Sequence, residues 1–103
     1  MLEIIEERED GKLFFKLKGH IDKLTSMEFS ERLNRDTLEG INYLEIDFEE
    51  VEYTSAAGIR VLLGAQKVLY GKGEMLIKNV RESVLEIFEL AGITKIINIQ
   101  AIG

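Results

Sequence analysis

Hydrophobic and polar residues alternate along several short segments of the chain, a pattern typical of strands with one buried face. Asp10-Gly11 separates the first two of these segments, and this dipeptide is typical of tight hairpin turns. The alternating or short apolar segments are residues 2–7, 12–18, 42–48, 74–78 and 93–99. The pattern therefore predicts five strands. The first two form a hairpin that ends at Gly19, and residues 49–55 form a loop after the third.

A helical spacing of apolar residues follows the hairpin and predicts a first helix over residues 26–38. Thr25 and Glu28 have the spacing of a capping box at its start. Leu24 and Phe29 are placed as a hydrophobic staple around the same start. The predicted core side of this helix consists of Met27, Leu33 and Leu38.

Two further helices alternate with the remaining strands. Residues 57–70 are apolar over most of a helical circumference, which predicts the most buried helix of the chain. Asn79 and Glu82 form a second capping-box pair, and Gly92 is placed to close the helix that follows. The resulting order β-β-α-β-α-β-α-β predicts a single α/β domain over residues 1–103. We expect a mixed, mostly parallel β-sheet with helices packed on it.

Composition narrows the possible functions. The 13 basic and 19 acidic residues give a formal charge of -6, which repels nucleic acid and anionic membrane surfaces. With no cysteine and one histidine the usual thiolate and zinc sites are absent, so we expect no metal and no cofactor. No apolar run approaches the length of a membrane span, and we expect a cytoplasmic protein. A chain of 103 residues can bury one core, and the expected state is a monomer or a weak dimer.

Residues 46–63 lead from a strand through a turn of small residues directly into an apolar helix. This segment resembles the signature of STAS domains, the family of bacterial anti-sigma factor antagonists, in which such a turn carries a serine that a partner kinase phosphorylates. Residues 19–22, Gly-His-Ile-Asp, and residues 84–93 are similar to two further motifs of the family. Three motifs in order at suitable spacing are far more specific than one. The resemblance implies a STAS fold that binds an anti-sigma factor with serine kinase activity and so releases a sigma factor.

The resemblance places the phosphorylated serine of the family at Ala56, which has no hydroxyl. The dipole at the start of a helix favours a phosphoryl group there, so the neighbouring Ser55 and Thr54 are alternative acceptors. Either hydroxyl also suits a capping role, which position alone favours. Three interpretations stay open: a neighbouring hydroxyl takes the phosphate, the switch is absent, or an introduced change replaced a serine. The phosphorylation-site region comprises Thr54, Ser55, Ala56, Ala57 and Gly58.

Other residues near this turn are candidates for partner binding. Asp22 and Asp47 lie at the carboxyl ends of predicted strands, the edge where sites collect in α/β sheets, and are expected to flank the turn. The resemblance implies a part in partner recognition, although carboxylates in loops also accept backbone N–H bonds. Arg60 opposes the dipole of the second helix, which suits an interface contact or a solvated side chain. The predicted partner-binding residues are Asp22, Asp47, Ser55, Ala56, Gly58, Ile59 and Arg60.

Three functions follow, in order of preference. The first is an anti-sigma factor antagonist that regulates transcription by binding, so that the ATP used in phosphorylation belongs to the partner kinase. The second is a ligand-sensing or scaffold STAS module that binds other proteins without a phosphorylation switch, which the missing hydroxyl at Ala56 favours. The third is a small enzyme that uses Asp22 and Asp47, but no nucleophile or phosphate loop accompanies these carboxylates.

Overall fold

The chain opens with an antiparallel hairpin and continues with three helix-strand units, as the computed structural model of residues 1–103 describes it. The elements are β1 (Leu2–Glu9), β2 (Lys12–Ile21), α1 (Lys23–Arg32), β3 (Tyr43–Thr54), α2 (Ala56–Leu69), β4 (Glu74–Val80), α3 (Glu82–Ala91), a 3-10 turn (Ile93–Lys95) and β5 (Asn98–Ala101). This is the predicted order, with one short turn added before the last strand.

The five strands form one sheet in the order β1-β2-β3-β4-β5. β1 pairs antiparallel with β2, and each later strand pairs parallel with the strand before it. Each helix therefore carries the chain one strand further in the same direction. Because such crossovers are right-handed, the three helices lie on one face of the sheet. The predicted fold class, a mixed and mostly parallel sheet covered by helices, is confirmed.

The hydrophobic core lies between that face and the helices. In the central strands buried residues alternate with partly exposed ones, as expected for a sheet that is covered on one side. The buried strand residues are Leu13, Phe15 and Leu17 of β2, Leu44, Ile46 and Phe48 of β3, and Met75 and Ile77 of β4. Phe48 meets Phe88 of α3 with ring centroids 5.6 Å apart, a contact that holds α3 against the centre of the sheet.

The opposite face of the sheet carries a polar layer. Glu45 in this layer accepts a hydrogen bond from the Tyr43 hydroxyl (2.8 Å) and pairs with the ammonium group of Lys78 (2.8 Å). Burial and the adjacent Glu45 carboxylate raise the pKa of Tyr43 to about 12. Tyr43, Glu45 and Lys78 thus satisfy one another on the face that the helices leave uncovered.

The first helix begins earlier than the sequence predicts. Asp22 is its N-cap: the carboxylate accepts hydrogen bonds from the backbone N–H groups of Leu24 (3.0 Å) and Thr25 (2.8 Å). In return the Thr25 hydroxyl accepts one from the N–H of Asp22 (2.8 Å). The capping box predicted for Thr25 and Glu28 is therefore wrong, because Asp22 takes the first position three residues earlier. Leu24 is 78% exposed and forms no staple with Phe29.

The same helix also ends earlier than predicted. It stops at Arg32, and turns span residues 33–40 before β3 begins. Leu33 and Leu38 are buried in these turns, as their predicted core role requires. Met27 is 62% exposed, and its predicted place in the core is wrong because Ser26, Phe29 and Leu33 form the buried side of the helix and Met27 lies outside their spacing.

Strands β2 and β3 are longer than predicted. β2 continues through Gly19 to Ile21, and Gly19 has a φ of +118°. A side chain at Gly19 would overlap the carbonyl oxygen of Met1, so the glycine permits a close approach of β1 and does not end the strand. β3 runs on to Thr54, where it still pairs with Ile21. The predicted loop at residues 49–55 is wrong because this pairing continues.

The last elements differ from prediction at their starts. Asn79 belongs to β4, and α3 begins at Glu82 without a side-chain cap, so the predicted capping box is wrong. Gly92 closes α3 in the left-handed conformation, as predicted (φ +77°). Residues 93–99 do not form one strand, because Ile93–Lys95 form a 3-10 turn in which the backbone N–H groups of Lys95 and Ile96 donate to the carbonyl oxygens of Gly92 and Ile93. No helix in the structure is long and apolar enough to span a membrane.

Candidate functional site

β2 and β3 end side by side at Ile21 and Thr54, and both strands lead directly into helices. The backbone N–H of Ser55 donates to the carbonyl oxygen of Ile21 (2.7 Å), which ties the turn after β3 to the end of β2. Asp22 and Ser55, the N-caps of α1 and α2, are therefore neighbours at one edge of the sheet. The term turn surface is used below for Asp22 together with residues 54–58.

The two hydroxyl groups of the turn surface differ in access. Thr54 is 1% exposed and its hydroxyl donates to the carbonyl oxygen of Ser55 (3.2 Å), so this hydroxyl is shielded from a kinase active site. Ser55 is partly exposed, and its hydroxyl oxygen accepts a hydrogen bond from the N–H of Gly58 (3.4 Å). The capping role considered for Ser55 is confirmed. Ala56, the first residue of α2, is exposed but has no hydroxyl.

Gly58 is buried and allows α2 to pack onto the strand ends. A Cβ atom at this position would overlap the Thr54 hydroxyl oxygen and lie 2.6 Å from Cγ2 of Ile21. The glycine is therefore required by the close approach of a helix to two strands. Gly58 faces the core and not solvent, so it can influence a bound partner only by fixing the position of Ala56.

Asp22 gives the turn surface a fixed negative charge. Hydrogen bonds, above all that from the N–H of Thr25, hold the pKa of Asp22 below its ordinary value. The Asp22 carboxylate accepts hydrogen bonds from backbone N–H groups, the alternative to partner recognition that the sequence left open. The Asp22 side chain also remains exposed to solvent. A phosphoryl group at the start of α2 would therefore meet the favourable end of that helix dipole and the repulsion of Asp22.

Asp47 does not belong to the turn surface. It lies within β3, and the seven residues from there to Thr54 correspond to roughly 20 Å of extended strand. Its carboxylate accepts hydrogen bonds from the N–H of Glu49 (2.9 Å) and the side-chain amide of Asn79 (3.2 Å). The expectation that Asp47 flanks the turn with Asp22 is wrong, because β3 continues past its predicted end. The separation rules out a joint acid–base or metal role, and no group of three potential metal ligands occurs in the chain.

The remaining predicted residues lie on α2 and have opposite environments. Ile59 is 8% exposed and belongs to the core. Arg60 is exposed, forms none of the ion pairs of the structure and borders a groove between α1 and α2. The groove has a volume of about 610 Å³, and Met27 and Gly64 are among its lining residues. The sequence pattern did not indicate this groove, because Met27, one of the few apolar residues of α1, was assigned to the core.

The fold and the turn surface match one protein family. The profile of the STAS domain matches residues 3–101, almost the entire chain. The chain belongs to the STAS domain family. The resemblance noted in the motifs at residues 19–22, 46–63 and 84–93 is thereby confirmed.

Individual relatives of this STAS domain share its length and architecture. BtrV of Bordetella bronchiseptica, named as a putative anti-sigma factor antagonist, is 26% identical over 96 residues, which cover 92% of this chain and 83% of BtrV. A Thermotoga maritima protein with the same description superposes with a TM-score of 0.84 at 15% identity, over 94% of this chain and 85% of that one. SpoIIAA of Bacillus, solved in its phosphorylated form, superposes with a TM-score of 0.74 at 15% identity, over 94% and 90% of the two chains. At these identities the structural likeness establishes the fold.

Proposed function

We propose that this STAS domain is an anti-sigma factor antagonist. It binds an anti-sigma factor through the turn surface and the exposed start of α2, and this binding frees a sigma factor for transcription. The observation that carries the proposal is that Ala56 is exposed at the start of α2. This helix start is held rigidly by the backbone hydrogen bond from Ser55 to Ile21 and by the packing of Gly58 against the strand ends. Such a preorganised surface reduces the entropy that is lost when a partner binds.

The names of the relatives support the same assignment. BtrV and the Thermotoga maritima protein are both described as anti-sigma factor antagonists, and each alignment covers more than nine-tenths of this chain. The antagonist acts by occupying its partner and not by catalysis. The partner we propose is an anti-sigma factor of the serine kinase type, so that any ATP is bound by the partner.

The regulation we propose is that the chain is held in its unphosphorylated, binding-competent form. SpoIIAA is described in both unphosphorylated and phosphorylated forms, so one related fold accepts a phosphoryl group. In this chain the Thr54 hydroxyl is buried, the Ser55 hydroxyl caps α2, and Ala56 has no hydroxyl. The turn surface therefore has a hydroxyl that is buried at Thr54 and one that is engaged as a helix cap at Ser55, and it has none at position 56.

A binding experiment tests the proposed partner and surface. The anti-sigma factors encoded by the source organism are purified and titrated calorimetrically with the parent chain, Ala56→Asp and the control Ser83→Asp. Both changes place a carboxylate in the first turn of an exposed helix start, where the dipole favours it, so both variants should remain folded. We expect the parent and Ser83→Asp to bind one anti-sigma factor alike and Ala56→Asp to bind it at least about tenfold more weakly, a loss of about 1.4 kcal/mol. Equal binding by all three would place the interface elsewhere.

A second experiment tests the regulation. The parent chain and Ala56→Ser are incubated with the same anti-sigma factor and ATP, and phosphate is located by mass spectrometry. We expect phosphate on the new serine of the variant and none on the parent chain. Phosphate on Ser55 or Thr54 of the parent would overturn the proposed locked form while leaving the binding proposal intact.

A scaffold module without a phosphorylation switch is the second candidate function. The missing hydroxyl at Ala56 favours it, because a switch that works through this position cannot operate in the chain. It predicts that the purified chain binds other STAS domains of the same organism and none of its anti-sigma factors. Light scattering of the mixtures during gel filtration distinguishes this outcome from antagonist binding.

A further inference from the structure

A groove of about 610 Å³ between α1 and α2 is left open by the fold. Its lining includes Met27 from α1 and Ala57, Val61 and Gly64 from α2. Met27 is 62% exposed, and the exposed Leu24 precedes it by three residues, so both lie on one side of α1. Ala57 also belongs to the turn surface, so the groove continues that surface along the helices. Exposed apolar residues that form one contiguous surface mark interaction sites more often than residues scattered singly.

The charges at the groove are opposite in sign to the chain as a whole. Arg35 and Arg60 both line it, and Glu31 is the single acidic residue among its lining residues. Neither arginine lies within 4 Å of a carboxylate, while the chain carries a net charge of -6. Two unpaired guanidinium groups beside an apolar floor suit a ligand that carries carboxylates next to an apolar side chain.

Gly64 lies in the interior of α2, where glycine weakens a helix more than any residue except proline. A Cβ atom added at Gly64 would have no atom within 4 Å. Gly58 on the same helix differs, because packing within the chain requires it. The contacts of this chain alone therefore give no reason for a glycine at position 64, whereas the close approach of a second molecule would.

We propose that an acidic segment of the anti-sigma factor docks in this groove, with a large apolar side chain above Gly64 and carboxylates on Arg35 and Arg60. The inference rests on the proposed function and extends the interface from the turn surface along α1 and α2. Met27 and Val61 form the apolar walls. The excess of positive charge selects an acidic segment over a basic one.

The test uses substitutions that fill the groove without disturbing the fold. Gly64→Ala and Gly64→Leu add side chains of increasing size into open space, and Lys67→Leu places the same leucine on α2 outside the groove lining. The purified anti-sigma factor that the parent binds is titrated with each variant, and with Arg60→Glu at low and high salt. We expect a loss of about tenfold or more for Gly64→Leu, a smaller loss for Gly64→Ala and binding within about twofold of the parent for Lys67→Leu. Arg60→Glu should also weaken binding, by a factor that shrinks as salt rises.

The outcomes separate this inference from the proposed function. Undiminished binding by Gly64→Leu, together with weakened binding by Ala56→Asp, would overturn the groove and keep the antagonist. A parent chain that binds no anti-sigma factor removes both proposals. Self-association of the parent in gel filtration that Gly64→Leu abolishes, without a change in anti-sigma binding, would mean that a second copy of the chain occupies the groove, which also overturns the inference.

Discussion

Gly58→Ala and Gly64→Ala add the same methyl group to the same helix, and we predict opposite effects on stability. At Gly58 the new Cβ would overlap the Thr54 hydroxyl oxygen and lie 2.6 Å from Cγ2 of Ile21, where 3.4–4 Å is an ordinary contact. Both neighbours end strands that are paired with each other, so α2 has to move to relieve the overlap. At Gly64 the new Cβ meets no atom within 4 Å.

The magnitudes follow from two opposing contributions. Replacing glycine by alanine within a helix stabilises the fold by about 0.5–1 kcal/mol, because alanine loses less backbone entropy on folding. Overpacking a close contact costs about 1–3 kcal/mol. Gly64→Ala should therefore raise the free energy of unfolding by about 0.5–1 kcal/mol, and Gly58→Ala should lower it by up to about 2.5 kcal/mol, with a central value of about 1 kcal/mol. At the central values the melting temperatures should differ by roughly 7 °C, at about 4 °C for each kcal/mol in a domain of this size.

Urea unfolding followed by far-ultraviolet circular dichroism measures both variants against the parent chain. Equal slopes of the free energy against urea concentration show that the changes act on stability and not on the extent of unfolding. Gly58→Val serves as a more severe form of the first variant, since a β-branched side chain adds further overlap. The reasoning is refuted if Gly58→Ala is as stable as Gly64→Ala, because α2 would then not be held by the strand ends.

Three further predictions concern ionisation and metals. The pKa of Asp22 is lowered in the folded state, so its contribution to stability is present above the ordinary pKa of about 4 and is lost as the pH falls through the lower, folded value. The melting temperature of Asp22→Asn should therefore depend less on pH than that of the parent below about pH 5. An unchanged dependence would contradict the capping role. The pKa of Tyr43 is raised to about 12. The neutral phenol therefore stabilises the fold below the ordinary tyrosine pKa of about 10, and this stability is lost as the pH rises towards 12. Ultraviolet titration of the parent and of Glu45→Gln should show that Tyr43 ionises at a lower pH in the variant. A chelator should leave the melting temperature unchanged, because no group of three His, Cys, Asp or Glu side chains is placed to hold a metal ion. A fall in the melting temperature would instead indicate a carboxylate metal site.

The alternation of buried and exposed positions allowed the sheet to be predicted, but not the lengths of its strands. Leu44, Ile46 and Phe48 alternate with polar residues and are buried as expected. Beyond Phe48 the sequence turns acidic and the local pattern ends, yet β3 continues because β2 pairs with it as far as Thr54. Pairing between distant segments is a tertiary effect that local patterns do not contain.

The start of α1 shows how two local signals can compete. Asp22 with Thr25, and Thr25 with Glu28, have the same three-residue spacing, and the second pair fits the usual capping-box pattern better. The structure selects the first pair because β2 ends at Ile21, which leaves Asp22 as the first residue free to cap. The groove could not be predicted from the sequence, because Met27, one of the few apolar residues of α1, was assigned to the core, whereas Ser26 and Phe29 occupy the buried side.

Access to the turn surface follows from the geometry of a strand that leads directly into a helix. The last strand residue, Thr54, points into the core, and the N-cap residue Ser55 folds its side chain back onto the helix start. The first helical residue, Ala56, is exposed. A hydroxyl at position 56 would be free for phosphoryl transfer, whereas those at positions 54 and 55 are engaged in the fold. This difference between positions is the physical basis for our proposal that a serine one residue earlier does not replace the missing hydroxyl and that the chain is locked in its binding form.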